Sequence, residues 1–254
     1  MSFIAVKTSI FRKIALSIWG GGGDPSVYGF LEVDVSHLNL TSSPMPLVIK
    51  GLSEVMKKHQ ELNFVVRFGR LYRRKNINIS VMVNILENGK HDLSFLTLRD
   101  VDRMDLAEIE ARVSHAAKQI RDRNDPHLGF ALRLIDRLPR SFTKLFLHAY
   151  TFITHDLNLN LSGLRLPKDP FGSVIVTNVG SLGIKKALVP LVPLTRAGLL
   201  ISLGQISEEA IVINHKIEIR KIMHIGVTFD HRLFDGAQAA AMIRDFEIFL
   251  QSKK

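Results

Sequence analysis

The chain lacks cysteine altogether, since none of its 254 residues is one. Disulfide bonds, a thiol nucleophile and cysteine-ligated metal sites are therefore excluded. The histidines show no tight metal-ligand spacing with a neighbouring acid, so we expect no metal centre of any kind. A chain without disulfides also fits a reducing compartment, and we expect it in the cytoplasm.

Residues that stack on nucleic-acid bases are scarce, with one Trp and three Tyr against a net charge of +10. The basic residues are dispersed, and Arg73-Arg74-Lys75 is their densest run. Nucleic-acid binders usually concentrate such charge on one face or element, so we expect no nucleic-acid partner. The excess of positive charge favours an acidic ligand or surface instead.

Long apolar runs are also missing. The most apolar candidate, Leu145 to Ile153, is far too short to cross a bilayer. No signal peptide, internal repeat or low-complexity linker is evident in the sequence. We therefore predict a single domain over residues 1–254.

Strand and helix patterns alternate irregularly along the chain. Val27–Val35 alternates like a strand, a helix begins near Pro46, and Asp105–Arg121 carries an apolar stripe at helical spacing. Ile4–Trp19 reads as a short lead-in followed by an amphipathic helix, which the glycines before Asp24 end. We interpret those glycines as a surface loop, because no GK(S/T) follows them as in a phosphate-binding loop.

One histidine near the C-terminus lies between two acids, in Thr228-Phe-Asp-His-Arg-Leu-Phe-Asp-Gly236. An apolar, β-prone segment leads into it and an amphipathic helix follows it. Loops at such junctions often carry catalytic side chains. Histidine has an ordinary pKa near neutrality, which suits it to proton transfer. The plainer interpretation is a surface salt bridge at a strand end.

Three segments together resemble one known family. Asp230-His-Arg-Leu-Phe-Asp-Gly236 is similar to the DHRxxDG signature of the dihydrolipoyl acyltransferase catalytic domain of 2-oxoacid dehydrogenase complexes. The related chloramphenicol acetyltransferases carry a similar HxxxDG. Phe171–Gly183 resembles the family's strand and turn ending in SNxGSxG, and Arg12-Lys-Ile-Ala resembles the opening of its first helix. The resemblance extends from about Arg12 to Leu250.

The resemblance implies a two-layer α/β sandwich around a mixed sheet, with helices and a chloramphenicol acetyltransferase-like fold. It also implies a homotrimer whose active sites lie between subunits, so that His231 of one chain faces Thr177 of the next. The large cores of this family assemble partly through an apolar C-terminal tail. Because this chain ends in the polar, basic Gln251-Ser-Lys-Lys254, we expect an isolated trimer.

The resemblance also assigns roles to individual residues. His231 would be the general base, and the hydroxyl of Thr177 would stabilise the oxyanion of the tetrahedral intermediate. Asp235 would hold the histidine loop through an ion pair with Arg12, with a structural and catalytic role combined. Gly236 would let the chain turn tightly into the last helix. The residues that bind the coenzyme A phosphates are not identified.

Coenzyme A or acyl-CoA is then the implied substrate, which suits a basic protein. The sequence carries no lipoyl or subunit-binding domain, so the acceptor thiol would belong to a separate lipoyl-carrying protein, free dihydrolipoamide or another molecule. Two alternatives remain open. One is a non-catalytic trimeric scaffold or regulatory homologue, and the other is an acetyltransferase acting on a small hydroxyl compound such as an antibiotic.

Phe130–Tyr150 departs from the multidomain members of the family, because it is long, basic and amphipathic. It could form a lid over the acyl pocket or a helical pair packed on the edge of the sheet. Peripheral attachment to a membrane surface is a third, less favoured interpretation.

Overall fold

The computed structural model describes residues 3–6, 23–38, 43–87, 90–121, 139–160 and 168–253. Its strands are β1 (Phe3–Ala5), β2 (Ser26–Asp34), β3 (Phe64–Arg67), β4 (Arg70–Arg74), β5 (Ile79–Glu87), β6 (Lys90–Leu98), β7 (Val174–Asn178), β8 (Leu199–Leu203), β9 (Ser207–Ile213) and β10 (Lys216–Asp230). Its α-helices are α1 (Met45–Lys58), α2 (Leu106–Arg121), α3 (Arg140–Thr151) and α4 (Gly236–Gln251). A single π-helical turn, Phe152–Asp156, follows α3.

The main sheet is mixed and runs in the order β2-β10-β8-β7-β5-β6, with β9 paired to β10. Strands β5, β7 and β8 are parallel, whereas β10 is antiparallel to β2, β8 and β9. A small antiparallel sheet of β1, β4 and β3 stands beside it. The expected mixed α/β sandwich is confirmed.

Apolar side chains alternate along the strands and so face one side of the sheet, where the helices cover them. Val33, Val176, Ile201 and Ile225 belong to one buried cluster with Val48 of α1 and Phe246 of α4. The other sheet face, which we call the outer face, carries Ile175, Thr177, Leu200 and Ser202. The helices therefore leave Thr177 on the side that they do not cover.

An extended segment, 184–192, crosses part of the outer face, and two glycines make room for it. A Cβ added to Gly204 would lie 1.9 Å from the carbonyl oxygen of Lys185, and one added to Gly226 would lie 2.1 Å from that of Ala187. Such contacts are far inside van der Waals distance. Only glycine at these two positions therefore leaves room for the backbone of segment 184–192. The hydroxyl of Ser202 donates to the same Ala187 carbonyl over 2.5 Å.

The strand and helix predictions agree with the structure in most of the described chain. Val27–Val35, the helix near Pro46 and Asp105–Arg121 correspond to β2, α1 and α2. The start of the predicted lead-in, Ile4 and Ala5, pairs with β4 as part of β1. The helix predicted after it, Arg12, the glycines at 20–22 and residues 130–138 lie outside the described residues.

A buried ion pair holds the small sheet to the loop before β7. Arg74 donates from Nε to Asp169 Oδ2 over 2.8 Å and from Nη2 to Oδ1 over 3.1 Å. Burial alone would raise the pKa of Asp169, but Arg74 and His155 together more than offset burial and hold this pKa well below its usual range. His155 lies 3.5 Å from the same carboxylate, and its burial lowers its pKa.

Removing one partner of this pair would leave the other charge buried. We expect Arg74→Met to lower the free energy of unfolding by about 3–5 kcal/mol in denaturant titrations. The matched control is Arg112→Met, which removes an exposed pair with Glu108 on α2. That change should cost about 0.5 kcal/mol or less. Equal effects of the two substitutions would contradict the structural role of Arg74.

His155 should make stability depend on pH. Its folded-state pKa lies below the ordinary 6.5, so between these two values the unfolded chain binds more protons than the folded chain. The stabilisation is complete above pH 6.5 and is lost as pH falls from there towards the lowered pKa. His155→Gln should flatten this slope relative to wild type in unfolding titrations from pH 8 to 5. Parallel slopes for the two proteins would show that His155 does not contribute.

Candidate active site

His231 follows the last residue of β10 and is half-buried. Its backbone N–H donates to the carbonyl of Pro25 over 2.9 Å, which ties the histidine loop to the start of β2. The imidazole Nδ1 lies 3.2 Å from the carbonyl oxygen of Phe234. A carbonyl only accepts, so Nδ1 carries the hydrogen in this contact and Nε2 is left as the basic nitrogen.

The carbonyl that accepts this hydrogen belongs to Phe234, three residues further along the same loop. Phe234 is buried and stacks on Phe229 at 4.9 Å, and Phe229 meets the His231 ring edge-on at 6.4 Å. Packed aromatic side chains therefore fix the carbonyl that orients the imidazole.

The residues on either side of His231 form a charge pair, as the plainer interpretation of the motif expected. Arg232 donates from Nη2 to Asp230 Oδ2 over 2.6 Å and from Nε to Oδ1 over 2.9 Å. The backbone N–H of Arg232 also donates to Asp230 Oδ1 over 2.9 Å. These bonds hold the loop on both sides of the histidine.

Asp235 is the N-cap of α4. Its Oδ1 accepts from the backbone N–H groups of Ala237 and Gln238 over 3.1 and 3.0 Å, and the Gln238 side chain accepts in return from the Asp235 N–H over 3.1 Å. This reciprocal capping box satisfies helix donors that would otherwise lack partners. The predicted ion pair from Asp235 to Arg12 lies outside the described residues and stays a prediction.

The expected role of Gly236 needs correction. Gly236 is the first residue of α4, its φ is not positive, and a Cβ added there would meet nothing within 4 Å. The tight turn therefore does not require glycine, because the turn is made by the capping box instead. Within one chain, the space above Gly236 is open.

Thr177 lies towards the opposite end of the sheet from His231, within the segment Phe171–Gly183 that resembles the family's strand and turn. It is the fourth residue of β7, half-buried, and pairs in register with Ser202 of β8. The turn after it is closed by Asn178, whose Oδ1 accepts from the Ser181 N–H over 3.1 Å. Gly183 ends the turn with a φ of 80°, a conformation that favours glycine.

The two halves of the predicted site do not meet within one chain. Thr177 pairs with Ser202, and Ser202 pairs with Gly226, so Thr177 lies level with Gly226 of β10. His231 lies five residues beyond Gly226 and two strands away from β7. At about 3.3 Å per residue and 4.8 Å per strand, the two residues are roughly 20 Å apart. One chain alone therefore does not bring this base and this hydroxyl together.

A second polar cluster on the outer face was missed by sequence reasoning. His224 is buried, its Nε2–H donates to Glu209 over 2.8 Å, and its Nδ1 lies 3.5 Å from Glu32. Lys186 completes the cluster at 3.1 Å from Glu32. The His224 hydrogen bond lowers the pKa of Glu209.

No group of three possible metal ligands gathers among the residues that the structure describes. In the same part of the chain, no helix combines the length and apolar character needed to span a bilayer. The described part of the unusual 130–150 segment is α3, which packs beside the short 3₁₀ turn Pro193–Thr195.

A cleft of about 510 Å³ opens between α3, the loop before β8 and the end of β10. His148 and Thr151 of α3 line it together with Asp230 and Arg232, which flank His231 in the sequence. The interpretation of the segment as a lid over the acyl pocket, or as a helical pair on the sheet edge, stays a prediction.

Comparison with known proteins supports the resemblance found in the motifs. Residues 168–254, which contain both Thr177 and His231, match the family model of the 2-oxoacid dehydrogenases acyltransferase catalytic domain. A dihydrolipoyllysine-residue succinyltransferase component from Rickettsia conorii is 26% identical over 199 residues, which are 78% of this chain and 39% of that protein. The chain thus spans about two fifths of the length of such relatives.

Solved structures establish the fold across the chain. The cubic core of the pyruvate dehydrogenase multienzyme complex matches with a TM-score of 0.64 at 15% identity, over 98% of this chain and 91% of that one. A chloramphenicol acetyltransferase matches with a TM-score of 0.50 at 14% identity, over 97% of this chain and 100% of that one. The predicted chloramphenicol acetyltransferase-like fold is confirmed.

The two roles of Asp235 can be separated by substitution. We expect Asp235→Ala to cost about 0.5–2 kcal/mol of stability, because it removes the helix cap. Asp235→Asn should retain the cap and nearly all of the stability, since Asn is an equally good N-cap. If the carboxylate charge also pairs with Arg12, then Asp235→Asn and Arg12→Gln should lower turnover by similar factors. Wild-type turnover in Asp235→Asn would limit this residue to capping.

Proposed function

We propose that this chain, whose residues 168–254 match the family model of the 2-oxoacid dehydrogenases acyltransferase catalytic domain, is a CoA-dependent acyltransferase that moves an acyl group between coenzyme A and a thiol of the dihydrolipoyl type. The observation that carries the proposal is the geometry of His231, whose Nδ1–H is committed to the Phe234 carbonyl. A general base requires an imidazole whose other ring nitrogen is held by an acceptor, so that Nε2 is the nitrogen that takes the proton. Location in the cytoplasm is part of the same proposal.

The reaction follows from these groups. Nε2 of His231 takes the proton of the acceptor thiol, and the resulting thiolate attacks the acyl carbonyl of the thioester. The hydroxyl of Thr177 donates a hydrogen bond to the oxyanion that forms. Collapse of the intermediate breaks the bond to the coenzyme A sulfur, and this leaving thiolate recovers the proton from His231. Atoms and charges balance without a metal or a redox step.

The acceptor thiol must reach the imidazole of His231. A thiol on a long flexible arm fits, because the cleft lined by Asp230 and Arg232 is also lined by the apolar side chains of Val66 and Leu194. A lipoyl-carrying protein or free dihydrolipoamide would supply such an arm. The residues that bind the coenzyme A phosphates are not part of this proposal.

Active sites between subunits of a homotrimer complete the proposal. The roughly 20 Å between His231 and Thr177 within one chain favours a site that draws one residue from each of two chains. A neighbour of the same fold is the cubic core of a multienzyme complex, and this supports oligomeric assembly. In a closed ring of head-to-tail contacts, each chain gives His231 to one site and Thr177 to another.

Acyl transfer should be measured with a panel of acyl-CoAs and dihydrolipoamide, by release of the coenzyme A thiol. We expect His231→Ala to lower turnover about 10²–10⁴-fold, because it removes the base. Thr177→Val should lower turnover about 10²–10³-fold, whereas Thr177→Ser retains the hydroxyl and most of the activity. The matched control is His115→Ala, at an exposed position on α2 that should leave turnover unchanged.

Two outcomes would contradict this function. If the His231→Ala variant kept its activity, His231 would not be the general base. Absence of transfer by a folded, oligomeric wild type with every donor would favour the scaffold alternative, and modification of chloramphenicol but not dihydrolipoamide would favour the antibiotic acetyltransferase. Coenzyme A binding measured by calorimetry separates a scaffold that binds nothing from an enzyme with another acceptor.

A further inference from the structure

The densest basic run of the sequence, Arg73-Arg74-Lys75, lies at the end of β4 between two clefts. The larger cleft has a volume of about 290 Å³ and the smaller one about 200 Å³, and Arg74 and Lys75 line both. We call the two clefts together the basic double cleft. Its cationic side chains are Lys57, Arg73, Arg74, Lys75, Arg99 and Lys168, and its acidic ones are Asp100 and Asp169.

Among the described residues, only two of these six cations are paired with a carboxylate. Lys57 pairs with the glutamate three residues before it, and Arg74 pairs with Asp169. Asp100, the other acid of the double cleft, accepts from the neutral amide of Asn76. Positive charge therefore exceeds negative charge in the double cleft. A concave wall with one sign of charge concentrates the electrostatic potential and attracts ligands of the opposite sign.

The other four cations make no ion pair within the described part of the chain. Arg73 donates to a neutral glutamine side chain, and Arg99 donates to the backbone carbonyl of Asp169 over 3.2 Å. Lys75 and Lys168 are exposed and have no hydrogen-bond or ion-pair partner among those residues. These side chains can form charge-assisted hydrogen bonds with an anion that enters the clefts.

A buried amide adds a donor to the smaller cleft. Asn78 is 6% exposed, and its Oδ1 accepts from the backbone N–H of Asp100 over 3.1 Å. Because a backbone N–H only donates, this bond identifies the oxygen end of the amide. The Nδ2 of Asn78 makes no hydrogen bond to any described residue. A donor held in a cleft wall without a protein partner suits an acceptor that binds from outside.

The segment that separates the two clefts is fixed by the fold. The side-chain Nδ2 of Asn63 donates to the carbonyls of Arg74 and Asn76, each over 3.0 Å. Gly172, with a φ of 69°, packs so tightly against Asn78 that an added Cβ would lie 2.3 Å from the Asn78 carbonyl oxygen. The donors of the double cleft are thus in place before a ligand binds, which lowers the cost of binding.

The shape and chemistry of the double cleft indicate the class of ligand. Concave sites of a few hundred Å³ are typical of small molecules, whereas protein partners bind broad surfaces. Lysine and arginine are the side chains that most often recognise phosphate. Two neighbouring clefts that share Arg74 and Lys75 suit two linked phosphate groups, one in each cleft.

We propose that the basic double cleft binds a small molecule that carries a diphosphate group. Lys75 contacts both phosphates, since it lines both clefts. Arg73 contacts the phosphate in the larger cleft, and Lys168 and the Nδ2 of Asn78 contact the one in the smaller cleft. The buried Arg74 stays paired with its carboxylate. The inference does not depend on the proposed acyl transfer, because none of these residues takes part in that reaction.

The position of the double cleft leaves two sources for the diphosphate. Asn78 directly precedes β5, whose first residue is level with Phe229 of β10, three strands away. At about 4.8 Å per strand, Asn78 lies roughly 15 Å from the end of β10 that leads to His231. The diphosphate could therefore be that of coenzyme A, the substrate of the proposed function, or that of a separate compound.

The test uses the full chain and inorganic pyrophosphate, titrated by calorimetry at low ionic strength, where charged contacts are least screened. Phosphorus NMR of the ligand gives a second readout. The main variant is Lys75→Gln with Lys168→Gln, which removes two exposed charges and no bond to a described residue. Lys75→Arg with Lys168→Arg keeps both charges. The matched control is Lys118→Gln with Lys253→Gln, which removes two charges at exposed positions elsewhere.

We expect the wild type to bind one pyrophosphate per chain, and more tightly than inorganic phosphate, because the second phosphate gains contacts in the second cleft. The glutamine variant should bind pyrophosphate on the order of 10–100-fold more weakly, since it loses two charge-assisted hydrogen bonds. The arginine variant and the control should stay close to the wild-type affinity. All variants should keep the wild-type thermal unfolding midpoint.

Titrations with coenzyme A separate the two sources. If coenzyme A supplies the diphosphate, pyrophosphate competes with it for binding and the glutamine variant raises the KM for acyl-CoA. If a separate compound supplies the diphosphate, coenzyme A and pyrophosphate bind together and this KM is unchanged.

A loss of affinity as large in the control as in the glutamine variant would overturn the inference, because binding would then follow net charge alone. So would a folded wild type that binds no pyrophosphate by either readout. Neither readout uses acyl transfer. A chain that binds pyrophosphate but transfers no acyl group would contradict the proposed function and leave the diphosphate site in place.

Discussion

The pairing of strand β10 is the constraint on which the rest of the structure depends. This one strand, Lys216–Asp230, is hydrogen-bonded to β2, β8 and β9 in fixed register, and its last residue immediately precedes His231. A shift of one residue would reverse every side chain of the strand between the helix side and the outer face. The register therefore fixes at once the position of His231, the proposed base, and the row that contains Thr177.

Each half of the site is built by interactions local to its own end of the sheet. At one end, the Asp230–Arg232 pair, the Asp235 cap and the Phe234 carbonyl position the imidazole. At the other end, the strand and turn around Thr177 position the hydroxyl. No described contact of a single chain bridges the roughly 20 Å between them, and the proposed intersubunit site would bring the two halves together.

Much of this could be predicted from sequence, because the informative signals were local. Val27–Val35 alternates visibly, the helix near Pro46 is marked by its start residue, and the His231 and Thr177 segments are recognisable as motifs. The Arg74–Asp169–His155 cluster was not predictable, since its members are far apart in sequence and meet only through the fold. The exposed hairpin formed by β9 and the start of β10 was missed for another reason. The alternation of Val212, Ile217 and Ile219 is the same for a buried face as for an exposed one, and only the ends of the neighbouring strands show that nothing covers them.

The most direct test of the central claim is complementation between two inactive chains. Subunits of His231→Ala and of Thr177→Val should be mixed in equal amounts, dissociated, reassembled and assayed for acyl transfer. If every site takes His231 from one chain and Thr177 from the next, random mixing restores both residues in about a quarter of the sites, and activity returns to about a quarter of the wild-type value. If both residues acted within one chain, every site would lack one of them. Activity in the reassembled mixture that stayed at the level of the separate variants would contradict the account.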